Sequence, residues 1–148
     1  MIFFYPIIFD NQFMTKTIYF RTFAKVAIVP YIGGTVAHTL RLIYKFPIVE
    51  APFWIHWVIV LLGGYASLGF IFHVSKIKFH GIIDKILYGL VIFHLGGSVI
   101  MHAYSLVVQN NNWMGVFSLE YSYFALLYFV GLGLYCKSLS KRINKQQL

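Results

Sequence analysis

Residues 86–108 read ILYGLVIFHLGGSVIMHAYSLVV, 23 positions without a formal charge. As a helix this stretch is long enough to cross a bilayer, which takes about 20 apolar residues. It also carries His94 and His102, where hydrocarbon should discourage them. Ser98 and Ser105 continue the same line, because steps of three or four residues return to one helical face. The strip His94–Ser98–His102–Ser105, with Gly96 and Gly97 beside it, is therefore expected to face protein rather than lipid.

The rest of the chain agrees with a membrane setting. Apolar residues make up 59% and charged residues 11%, with a mean hydropathy of +0.74. Soluble domains carry about 25% charge, and one this apolar would expose large sticky patches. The net charge of +8 lies mostly outside the apolar runs, so it reads as membrane topology and lipid-headgroup attraction, not nucleic-acid binding. The lone Cys136 excludes an internal disulfide and a thiolate metal cluster within one chain.

Three further apolar runs flank the first. Residues 52–74 begin at an interface marked by Trp54 and Trp57 and carry the small residues Gly63, Gly64, Ser67 and Gly69. Residues 116–136 are dense in tyrosine and phenylalanine. Residues 22–44 are the weakest span, since only 15 uncharged residues separate Lys25 from Arg41; snorkelling stems lengthen it at both ends. The expected spans are thus about 22–44, 52–74, 86–108 and 116–136. Residues 1–21 form an interfacial or dispensable segment, with Met14 an alternative start to Met1. Residues 22–138 make one transmembrane domain, and residues 139–148 a basic tail.

Charge supports this count. With four spans, ten basic residues (Lys16, Arg21, Lys25, Lys76, Lys78, Lys85, Lys137, Lys141, Arg142 and Lys145) share one side, and only Arg41 and Lys45 lie on the other. Basic residues collect on the cytoplasmic face. The expectation is an all-α integral membrane protein, a four-transmembrane-helix bundle with both termini cytoplasmic, in a bacterial inner membrane or a eukaryotic internal membrane. The Gly63–Gly64 and Gly96–Gly97 pairs should mark close helix contacts.

Depth then brings polar residues together. His38, His56, His102 and Glu120 each lie roughly 6–9 Å inside the non-cytoplasmic end of their spans, at 1.5 Å of rise per residue. One ionisable group per helix in a single layer is what a metal site in a helix bundle requires. Haem is the other candidate, with His38 and His102 as axial ligands and Arg41 or Lys45 pairing a propionate. His94 is a second-line metal ligand, because no other span offers a histidine at its depth. The bland alternatives are specific as well. His56 suits an aromatic interface belt, Glu120 a solvated helix start, and His94 and His102 interhelical hydrogen bonds to serine or tyrosine.

No phosphate loop, dinucleotide fingerprint, zinc-protease helix or serine elbow is present. No residue is identified as catalytic, and the reading leans away from an enzyme. The functions left are a redox or electron-transfer protein with a metal or haem in that layer, and a non-catalytic accessory or assembly subunit of a larger membrane complex. A small proton-linked transporter using His94, His102 and Glu120 is weaker, since no acid sits at the midplane. Expected partners are the lipid bilayer, other membrane subunits or further copies of the chain.

Overall fold

The computed structural model describes residues 9–45, 53–108 and 118–145. They form four long helices: α1 (Phe9–Tyr44), α2 (Phe53–His73), α3 (Ile82–Val108) and α4 (Tyr121–Lys145). A short 3-10 turn, Val74–Lys76, follows α2. All four contain segments long and apolar enough to span a membrane: Arg21–Tyr44, Phe53–Lys76, Ile82–Val108 and Tyr121–Ile143. The fold is an all-α, four-transmembrane-helix bundle. In hydrocarbon every backbone N–H and C=O must be satisfied within its own segment, which a continuous helix achieves.

Two helices run further than the apolar pattern suggests. α1 begins at Phe9, inside the segment expected to lie apart from the fold. α4 continues through Lys145 and buries Leu139, Ser140 and Ile143, so much of the expected basic tail is packed helix. Hydropathy marks where lipid begins; helix and packing extend beyond that line. Local chemistry sets other ends. Lys45, in the left-handed region at φ 52°, closes α1 with its N–H on the Arg41 carbonyl. At the start of α4, Ser118 Oγ accepts the Tyr121 amide at 3.4 Å, an N-cap. The prolines at 47 and 52 and the turn at 109–115 lie outside the described residues.

The helices run antiparallel in the spatial order α4–α1–α2–α3. Each contributes one buried stripe at helical spacing. On α1 this is Ala24, Ala27, Tyr31, His38 and Arg41; on α3 it is Asp84, Tyr88, Val91, Leu95, His102 and Ser105. His102 and Ser105 thus lie on the inward line, whereas His94 and Ser98 are half-buried at its edge. Large apolar side chains such as Phe93, Ile100 and Val107 point outward, as they should in lipid.

The glycine pairs divide. A Cβ on Gly63 would meet Val99 Cγ2 at 3.2 Å, and one on Gly64 would meet it at 3.9 Å, so this pair is a true α2–α3 contact. Gly34 abuts the Phe129 ring and Gly69 the Phe23 ring so closely that a methyl group would collide with either. Gly96 and Gly97 correct the expectation: nothing among the described residues lies within 4 Å of a Cβ there. The reason is that α3 packs on α2 through Leu95 and Val99, while α3 and α4 approach each other only sparsely.

Candidate functional site

The two ends of the bundle hold different polar chemistry. At the end joined by the α1–α2 and α3–α4 connections, here the loop end, two pairs form instead of one layer. His56 and His102, on α2 and α3, face each other with Nδ1 atoms 2.7 Å apart and ring centroids 4.8 Å apart. His56 is fully buried and His102 nearly so. A contact this short between two imidazole nitrogens needs one proton between them, so one Nδ1 donates and the other accepts. Phe53, one turn earlier on α2, covers the His56 ring at 5.8 Å.

The second pair joins α1 to α4. His38 Nδ1 lies 3.1 Å from Ser122 Oγ, and Arg41 Nη1 donates to the same oxygen at 3.3 Å. With Arg41 donating, the hydroxyl proton is directed at His38 Nδ1, which suits a neutral imidazole protonated on Nε2. The His38 ring also stacks on Phe129 at 5.4 Å and meets Tyr121 edge-on at 5.8 Å. His38 and His102 therefore hold different partners on different helices. Glu120 is fully exposed just before α4. Hydrogen bonds from its own backbone amide and from Ser118, with Arg41 nearby, hold its carboxyl below the usual carboxylate range.

His94 lies deeper, at mid-span. Its ring is walled by Tyr31 at 5.5 Å, Tyr128 at 5.2 Å and Phe129 at 5.0 Å, and its Nε2 is 3.5 Å from Ser98 Oγ. No second histidine stands at that depth among the described residues. Nor does any group of three or more His, Cys, Asp or Glu among them lie close enough to hold a metal ion. His73 donates its Nδ1–H to the Gly69 carbonyl at 2.9 Å, and the His80 side chain is exposed.

The most tightly bonded polar group was not singled out by the sequence at all. Asp84, in the first turn of α3, accepts Arg142 Nη1 at 2.6 Å and Nη2 at 2.9 Å, a bidentate pair from the last turns of α4. Tyr135 donates to Asp84 Oδ1 at 2.6 Å, and the His80 amide donates to Oδ2 at 3.0 Å. The amide bond lets an acid in the first helical turn satisfy a backbone N–H just before the helix. Pairing with Arg142, 58 residues away, is visible only in three dimensions. This clamp fastens α3 to α4 at the terminal end, although the two helices make few other contacts.

Imidazole pairs offer lone pairs to a metal or a path to a proton; a carboxylate holding a guanidinium and a phenol offers neither. The chemically available groups are therefore at the loop end and mid-span. Comparison with known protein families, curated proteins and solved structures finds none that matches this chain.

Proposed function

We propose that this small multi-pass membrane protein binds a transition-metal ion at its loop end, with His56 and His102 as imidazole ligands, and serves redox or electron-transfer chemistry. The observation that carries this reading is the direct Nδ1–Nδ1 contact of 2.7 Å in a buried, apolar setting. Tetrahedral metal–nitrogen bonds of about 2.0–2.1 Å place two ligand nitrogens roughly 3.3 Å apart, so the rings need to separate by only ~0.6 Å. Trans ligation of a haem needs about 4 Å and a macrocycle between the rings, which fits this contact less well. The ion would take the place of the shared proton, since ligation requires both ring nitrogens deprotonated. Two protein donors leave coordination positions for exogenous ligands, and imidazole suits copper, iron and zinc. Arg41 then lies at the same end as a cation able to meet an anionic ligand or substrate.

The test is metal analysis and an absorption spectrum of the detergent-purified protein after exposure to each metal. Stoichiometric metal that is lost in His102→Ala and His56→Ala, but kept in His80→Ala, supports the reading. Equal retention by all variants overturns it.

A second reading rests on the other pair. His38 and Arg41 both bond Ser122, which stitches α1 to α4 without calling for a ligand. On that reading the protein is a non-catalytic accessory or assembly subunit of a larger membrane complex. Metal-free protein that still co-purifies with other membrane subunits from mild detergent would favour it.

A further inference from the structure

The seam between α3 and α4 has a different chemistry from either end. It is closed at the terminal end by Asp84, Tyr135 and Arg142, and above that the two helices scarcely meet. On α3, His94, Gly97 and Ser98 share one face by helical repeat, and both His94 and Ser98 are half-buried. On α4 the matching face is Phe124, Tyr128, Gly131 and Tyr135. The His94–Tyr128 and Asp84–Tyr135 contacts fix it toward α3. Gly97 and Gly131 lie about one turn on either side of the His94–Tyr128 level, and a Cβ on either would meet nothing within 4 Å among the described residues. Small residues between helices ordinarily allow close backbone approach. Here they leave room instead.

Behind His94 stands Tyr31 of α1, only 1% exposed. Its hydroxyl is buried and has no hydrogen-bond partner among the described residues. A buried donor left unmade forfeits its hydration with no return, so native proteins rarely keep one without a reason. His94 is little better served, because its 3.5 Å contact with Ser98 is at the limit of a hydrogen bond. Both groups sit at mid-span, His94 boxed by Tyr31, Tyr128 and Phe129, and the Tyr31 ring against His94 and Phe129.

We propose that this seam binds a planar, uncharged, lipid-soluble carbonyl compound of the quinone class, with the Tyr31 hydroxyl and His94 as hydrogen-bonding partners of its carbonyl oxygens. Flat aromatic walls favour a flat ring, which offset stacking and edge contacts hold. The unmet donor calls for an acceptor, and a carbonyl supplies one without a charge. At this level the seam carries no formal charge, so an ionic ligand finds no counter-ion there. Entry is from the bilayer, past the half-buried Tyr128 ring, which must swing aside for the ligand to reach Tyr31. The site uses none of the residues assigned to the metal, so either proposal can fail alone.

The experiment is equilibrium dialysis of a short-chain benzoquinone against the full-length protein in lipid nanodiscs, with empty nanodiscs as the baseline. Saturable binding above the baseline is expected, weakened roughly fivefold in Tyr31→Phe by the lost hydrogen bond. In Gly97→Leu, which fills the seam, it should be lost. It should be unchanged in His56→Ala. Tyr31→Phe should melt at the same temperature as the parent or higher, because it removes an oxygen that bonds nothing. Uptake equal to empty nanodiscs, which is lipid partitioning only, overturns the proposal. So does saturable binding that both seam variants retain, or a markedly lower melting temperature for Tyr31→Phe, which would give the hydroxyl a structural partner.

Discussion

At the terminal end of the bundle one carboxylate receives four hydrogen bonds to its two oxygens, two from Arg142 and one each from Tyr135 and the His80 amide. At the loop end five polar side chains from four helices meet in two separate groups, His38 and Arg41 with Ser122, and His56 with His102. The contrast follows from charge. An ionised carboxylate taken into an apolar bundle is tolerable only when a cation and further donors surround it. Neutral imidazoles need no counter-ion, and one shared proton satisfies the contact between two of them. One end is therefore committed to holding α3 against α4, and the other keeps chemistry in reserve.

The two ends should first be distinguishable by side. Single-cysteine reporters at positions 111 and 141 should label from opposite faces of sealed vesicles, position 141 from the cytoplasm, as the basic residues imply. Labelling of both from one face would undo the assignment of the ends. The next largest effect falls on the clamp. Asp84→Leu leaves the Arg142 guanidinium without its carboxylate in a partly buried site and should cost about 3 kcal/mol. Steric-trapping or denaturant unfolding in micelles would read this. Adding Arg142→Met should restore much of the loss, because an apolar pair replaces a stranded cation. If Asp84→Leu is neutral, the ion pair does not hold the bundle.

Glycine substitutions sharpen the difference between packed and open surfaces. Gly34→Leu drives into the Phe129 ring and should destabilise by about 1–3 kcal/mol, whereas Gly97→Leu should stay within about 0.5 kcal/mol. Equal losses at both positions would show that the α3–α4 seam is closed. An effect between those of the two glycine variants is expected at the histidine pair. His102→Phe keeps an aromatic ring and removes one neutral hydrogen bond, a change of about 1 kcal/mol in the same unfolding assay. A loss as large as that of Asp84→Leu would make the loop end as structural as the clamp.

Much of the fold is legible in the chain. Four long apolar runs and the ten-to-two division of basic residues imply four spans with both termini on one side. Hydropathy places His38, His56, His102 and Glu120 near one end of those spans, because depth along a helix is a matter of counting. Which of them touch is decided by azimuth and by which helices are neighbours, and counting carries neither. The α4–α1–α2–α3 order gives His102 to His56 and His38 to Ser122. It leaves Gly96 and Gly97 beside open space while Gly63 meets Val99. Asp84 and Arg142 illustrate the limit most clearly. In sequence one lies in a basic loop and the other in a basic tail. Only antiparallel packing of α3 and α4 brings the start of one helix to the end of the other, where a bidentate pair forms across 58 residues. Membrane insertion answers to composition, which a sequence carries residue by residue. Side-chain pairing answers to helix order and rotation, which exist only once the helices have packed.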